Sequence, residues 1–143
     1  MEKTPEAHME RVKSRLEVGR SVLEHLGNVT TYDIEDVEPD VDLTTLPPPL
    51  LNDRFYIATD ERDPDVLRVF SEAGGVFFTE LLELEDRRAF GWSLMLTDVR
   101  ALVEQSLLAH SAYFYGHALS SFAGRVANMR AARGADRRTA LLD

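Results

Sequence analysis

The sequence predicts an α/β fold, a parallel sheet flanked by helices. Three short apolar runs rich in aromatic and β-branched residues alternate with stretches of helical period. Turn-forming residues bound each run: Thr59-Asp60 after the first, Gly74-Gly75 before the second, Gly116 after the third. Two of the helices open on residues that suit a helix start, Pro64 in one case and Ser120-Ser121 in the other. The expected strands lie near residues 54–59, 75–79 and 112–116, and the expected helices near 5–26, 64–73, 94–110 and 121–133. Ligands of such sheets sit beyond the carboxyl ends of the strands. That rule puts Thr59-Asp60-Glu61, Thr79 and residues 116–122 along one rim.

The first helix is capped by Thr4 and begins at Pro5. Met9, Val12, Leu16, Leu23 and Leu26 form its apolar stripe, and Gly27 ends it. Glu6, Glu10 and Glu17 alternate with Arg11, Lys13 and Arg20, as on a solvated face. His8 and His25 have no ligand-spaced partner and are read as surface residues. The stripe is expected to be partly exposed, or to pack only on the domain's own sheet. If partly exposed, it is a surface for a partner domain or a second copy. Residues 27–53 form an acidic connection that ends in Pro47-Pro48-Pro49, a stiff extended run. Within it Asp33, Glu35, Asp36, Glu38, Asp40 and Asp42 lack the glycine and terminal glutamate of a calcium loop, so the segment reads as a solvated loop. Asn28-Val29-Thr30 is a glycosylation sequon by pattern alone.

Phe55-Tyr56-Ile57 is a continuous apolar run, as in a strand buried on both faces. Val66, Leu67, Val69 and Phe70 follow on a helix, then Val76-Phe77-Phe78 on the next strand. Residues 80–88 make one or two helical turns, and Trp92 is read as a packing residue. Val99, Leu102, Val103, Ser106, Leu107 and His110 fall on one face of the next helix. The strand Ala112-Tyr113-Phe114-Tyr115 stops at Gly116. Ser120 or Ser121 then caps a helix carrying Phe122, Val126 and Met129. The resulting division is residues 1–53 as helix and connection, 54–135 as the α/β domain and 136–143 as a tail.

Composition narrows the function. A hydrophobic fraction of 44% with 29% charged residues suits a soluble globular domain large enough for a real core. No apolar run reaches the length of a transmembrane helix, so no membrane insertion is expected. No charged segment followed by an apolar one opens the chain, so no signal peptide is visible. There is no cysteine, which excludes disulfides and thiolate chemistry. A net charge of −9 argues against nucleic acid as a partner. The charge is uneven, however: Arg125, Arg130, Arg133, Arg137 and Arg138 gather after Glu104. A basic region around a capped helix suits a diphosphate. Equally, arginines in a last turn complement the helix's own dipole. No metal-ligand cluster, dinucleotide fingerprint or P-loop occurs.

A strand, a glycine turn and a hydroxyl-capped helix start make an anion site in principle, because free N–H groups and the helix dipole face the loop. The order Glu104-Gln105, Tyr113-Phe114-Tyr115-Gly116, Ser120-Ser121-Phe122 and Arg130 resembles the C-terminal signature of the GDP-fucose protein O-fucosyltransferases. Phe55-Tyr56-Ile57-Ala58-Thr59-Asp60-Glu61 is similar to that family's preceding strand and Thr-Asp turn. The resemblance spans residues 54–133. It implies a Rossmann-like sheet with flanking helices, the C-terminal, GDP-holding half of a GT-B glycosyltransferase. It further implies Glu104, Ser120, Ser121 and Phe122 as nucleotide-binding residues, with Asp60, Glu61, Arg125 and Arg130 as phosphate or rim contacts. The donor would be GDP-fucose, used without a metal or other cofactor, the acceptor a glycoprotein, and the setting the secretory pathway. Two departures stand out. Ala123 occupies a position where the family has Ser or Thr, and no segment matches the family's His-x-Arg-Arg-Gly-Asp pattern, the source of the arginine that stabilises the leaving diphosphate. No catalytic residue is therefore assigned. The expected function is the sugar-nucleotide-binding part of an O-fucosyltransferase-like enzyme. The alternative is a non-catalytic nucleotide-binding or protein-interaction module derived from that fold.

Overall fold

A computed structural model describes residues 4–26, 49–50 and 52–143. The sequon, the acidic run and the helix end expected at Gly27 lie outside the described residues. The chain forms two compact units, one from Met1–Lys13 with Leu51–Glu104, the other from Ser14–Leu50 with Gln105–Asp143. Helix and sheet are mixed, and each unit holds one small parallel sheet.

Helix α1 runs Pro5–Leu26, with the Ala7 N–H donating to Thr4 Oγ1 at 3.3 Å. In the first unit, Phe55–Tyr56 (β1) pairs in parallel with Gly75–Val76 (β2), Phe55 opposite Gly75 and Tyr56 opposite Val76. Pro64–Glu72 (α2) makes the crossover. Asp63 caps α2 through the Asp65 N–H at 2.9 Å, Pro64 supplies a pre-set first turn, and Gly74 leaves the helix at φ +103°. β2 is shorter than expected because Phe78 already opens a helical turn, Phe78–Leu81 (α3), held by the Phe77 N–H on Glu80 Oε2 at 2.8 Å. Leu84–Phe90 (α4) follows, then a 3₁₀ turn Gly91–Met95, so the next helix, Thr97–Ala109 (α5), starts later than periodicity suggested. Met9, Phe70 and Phe78 are the buried apolar side chains of this unit, and the His8 ring lies 6.0 Å from that of Phe70.

In the second unit, Phe114–Gly116 (β3) pairs in parallel with Ala140–Leu142 (β4) across the helix Ser121–Ala132 (α6). Phe114, Ala123 and Val126 form its core, with Leu108, Phe122 and Ala140 packed on it. α6 ends in a Schellman motif: Ala135 N–H bonds to Arg130 O and Gly134 N–H to Ala131 O, both at 3.0 Å, with Gly134 at φ +74°.

Two expectations are corrected here. The three strands do not share one sheet; the third pairs with β4, in the segment read as a tail. Ala140-Leu141-Leu142 is too short to show a period. It is positioned by the 3₁₀ turn Arg137–Thr139, which Asp136 caps through the Arg138 N–H at 2.8 Å. The apolar face of α5 is also not its buried one. Leu102, Val103 and Leu107 are 59%, 40% and 40% exposed, whereas Glu104, Gln105 and Ala109 are buried. Glu104 turns inward because Tyr56 and Arg100 partner its carboxylate, as described below. On α1, Met9 is buried while Val12, Leu16 and Leu23 are half-buried.

Candidate functional site

The β3–α6 turn is built by close packing. A Cβ on Gly116 would lie 2.8 Å from Ala123 Cβ and 2.8 Å from Phe114 Cζ, so only glycine lets α6 start directly against the strand. The same contact keeps residue 123 small. The loop is tightened by His117, whose carbonyl accepts from the Ser120 N–H at 3.0 Å and whose Nδ1 accepts from the Leu119 N–H at 3.2 Å. The chain continues the parallel ladder past the strand: Asp143 N–H donates to Gly116 O and Ala118 N–H to Asp143 O, both at 3.1 Å. Arg15 pairs with the Asp143 carboxylate at 2.6 Å.

Of the two serines, Ser120 is the cap; its Oγ accepts from the Ala123 N–H at 3.3 Å. Ser121 occupies the first helical position and is exposed. Helix geometry leaves the Ser121 and Phe122 N–H groups without an intrahelical acceptor, pointing out of the helix start. Phe122 is half-buried and packs on the core, and Arg125 is exposed one turn further along. This end of α6 therefore presents two N–H groups and two hydroxyls, with Arg125 one turn further along.

Arg130 does something else. Its residue is 3% exposed. Nη1 donates to the carbonyls of Ser111 at 2.6 Å, Leu108 at 3.3 Å and Ala109 at 3.4 Å, and to Ser111 Oγ at 3.2 Å. Nη2 donates to Thr139 Oγ1 at 2.8 Å, Thr139 O at 3.3 Å and Ala112 O at 3.4 Å. Burial lowers its pKa to about 10, which leaves it cationic at neutral pH. No carboxylate pairs with it among the described residues; carbonyl dipoles compensate the charge instead. Arg130 thus clamps the end of α5, the lead into β3 and the lead into β4, and its fork is not offered to an anion. Arg138 is likewise engaged, bonding the Asp136 carboxylate through Nη2 at 2.6 Å and Nε at 3.0 Å.

In the first unit Glu104 is buried, and both its oxygens have partners. Tyr56 OH donates to Oε1 at 2.6 Å, and Arg100 Nε lies 3.5 Å from Oε2. Arg100 also stacks over the Phe78 ring, 5.6 Å from its centroid. Arg100 stands four residues before Glu104 on the same helix, whereas the strand-to-helix partner Tyr56 leaves no spacing signal in the sequence. Asp60 and Glu61 are exposed. Glu61 Oε1 accepts from the Arg62 and Asp63 N–H groups at 2.8 and 2.9 Å, shaping the turn into α2.

No protein-family model, curated protein or solved structure matches the chain. The local geometry is accordingly the basis for any functional reading. Among the described residues, no group of three or more His, Asp or Glu side chains is placed to hold a metal ion, and no helix is long and apolar enough to cross a membrane.

The Tyr56–Glu104 bond makes a prediction. Burial, and then the bond to Glu104, push the phenol above its ordinary value of 10.0. The folded state keeps a proton that the unfolded chain releases, so this contribution to stability is full below about pH 10 and declines above it. Tyr56→Phe is expected to make the alkaline decline shallower, leaving the share of Tyr113, which burial also raises. At neutral pH it is expected to lower stability by about 1–3 kcal/mol, since Glu104 stays buried and loses a donor. Denaturant titrations on either side of about pH 10 check both signs.

Proposed function

We propose that the chain is the sugar-nucleotide-binding part of a glycosyltransferase related to the protein O-fucosyltransferases, with GDP-fucose as its donor. In this reading the β3–α6–β4 piece belongs to the Rossmann-like, nucleotide-holding half of a GT-B fold. The observation that carries it is the turn between Gly116 and Phe122, where a glycine-dependent contact sets an open helix start beside a parallel strand. A diphosphate there would accept from the Ser121 and Phe122 N–H groups, favoured by the helix dipole. The Ser120 and Ser121 hydroxyls and Arg125 would complete a donor set that neutralises the charge without a metal. Transfer of the sugar is expected to be slow or absent, because no arginine segment matches the one that stabilises the leaving diphosphate in the family.

A second reading is a non-catalytic nucleotide-binding or protein-interaction module of the same descent. It is favoured by Arg130 and Glu104, two family-matched residues whose Nη atoms and carboxylate are engaged within the fold.

Calorimetry with GDP, GDP-fucose and GMP separates the two readings. GDP is expected to bind with a Kd between about a millimolar and tens of micromolar, roughly 4–6 kcal/mol, and more tightly than GMP. Ser121→Asp is expected to weaken GDP binding by about tenfold or more by repulsion, while a carboxylate in the first turn favours the helix itself. If GDP binds no better than GMP and Ser121→Asp changes nothing, the diphosphate site is wrong and the interaction-module reading replaces it.

A further inference from the structure

The first unit exposes an unusual run of large apolar side chains between residues 81 and 96. Leu81 is 45% exposed, Leu84 63%, Phe90 59%, Trp92 85% and Leu96 60%. α4, at the centre of this run, has no buried residue. A helix gains its stability mainly by burying one face, and α4 buries none within the described residues. Its capping bond, Glu83 N–H to Asp86 Oδ2 at 2.9 Å, and the reach of Arg87 Nη2 to Thr79 O at 2.9 Å fix its shape but cover no apolar surface.

The charges of α4 identify what covers it. Glu85 and Arg88 are both exposed and stand three apart on the helix, yet neither has an ion-pair partner among the described residues. A helix with an unpaired acid in its first turn and an unpaired base in its last is complementary to an antiparallel copy of itself. A two-fold axis between residues 86 and 87 sets Glu85 of one copy opposite Arg88 of the other, twice over. The same register sets Leu84 opposite the small Ala89, and brings Leu81 and Trp92, just beyond the helix ends, toward each other. At helical spacing Leu84, Glu85, Arg88 and Ala89 all fall on one side of α4, so a single face supplies every pair.

We propose that the chain self-associates through α4 as an antiparallel, two-fold dimer. Apolar contact at Leu84 and Trp92 supplies the drive, and the reciprocal Glu85–Arg88 pairs set register and orientation. The charges matter more for register than for affinity, because rim pairs contribute little by themselves.

Sedimentation of the full chain over a range of concentrations, read together with fluorescence, tests the dimer. Trp92 is the sole tryptophan, so its emission reports this surface alone. A monomer–dimer equilibrium is expected, with Trp92 emission shifting to the blue as the dimer forms. Glu85→Arg alone and Arg88→Glu alone each set like charges opposite one another, and each is expected to weaken association about tenfold. The E85R/R88E double swap restores complementarity and is expected to return association to within about threefold of wild type. All three changes are at exposed positions, and circular dichroism confirms that the variants are folded. A monomer at every concentration with constant Trp92 emission overturns the proposal. So does a dimer that the single reversals leave unchanged, or a double swap that fails to recover.

Discussion

Arg130→Ala is expected to lower stability by about 3–5 kcal/mol, since several buried carbonyls lose a donor together. The guanidinium serves the carbonyls of Leu108, Ala109, Ser111, Ala112 and Thr139, with two hydroxyls besides. These groups come from two stretches far apart in sequence, residues 108–112 and residue 139. Without the fork, several buried oxygens lose their donor together, and each is costly to leave unmade. Lysine at this position keeps the charge but not the planar spread of donors, so Arg130→Lys is expected to fall between wild type and alanine. Arg125→Ala, on the exposed side of the same helix, is the control and should change stability by less than about 0.5 kcal/mol. Urea unfolding of the three variants checks the order. A loss under about 1 kcal/mol in Arg130→Ala would show that the carbonyls find other donors.

Gly19→Ala is expected to destabilise, although glycine sits in the middle of α1 and alanine is the better helix former by about 1 kcal/mol. A Cβ at this position would overlap the Tyr113 ring at Cγ, Cδ1 and Cε1. Cγ is the root of the ring, so the clash is not relieved by moving a flexible tip. Overpacking of this kind costs about 1–3 kcal/mol, enough to cancel or exceed the propensity gain. The discriminating measurement is a double-mutant cycle. In a Tyr113→Ala background the ring is gone, and Gly19→Ala should become stabilising by its propensity alone. The same sign in both backgrounds would remove Tyr113 as the reason for the glycine.

Much of the local structure was legible because local chemistry determines it. Thr4 and Pro5 start α1, Pro64 and Gly74 bracket α2, and a serine cap opens α6, each acting within a few residues of itself. Parallel strand character also followed from the alternation of strands and helices. What remained hidden depends on partners far apart in sequence. Periodicity gave α5 an apolar face, but the hydroxyl of Tyr56, 48 positions earlier, turned Glu104 inward. Arg130 was read as an anion contact because an arginine after a capped helix suits a phosphate. That its fork meets main-chain oxygens rather than a ligand follows from a fold that brings residues 108–112 and 139 around it. β4 escaped notice because three apolar residues carry no period. The serines at the start of α6 lie where the sequence put them.

The pairing of β3 with β4 has a consequence for synthesis. A growing chain has made Phe114-Tyr115-Gly116 well before the strand that will cover their edge exists, since Leu142 is the partner of Gly116. At ordinary elongation rates the interval is about one to five seconds. During it the aromatic edge has no partner strand, and Arg130, once made, lacks Thr139 until residue 139 follows. β1 and β2 wait for a stretch only slightly shorter than this, between residues 56 and 76, but they do so much earlier in the chain. The order of birth therefore divides the molecule into an early sheet and a late one. Until the late one closes, Phe114-Tyr115-Gly116 lacks the edge partner that it has in the folded chain.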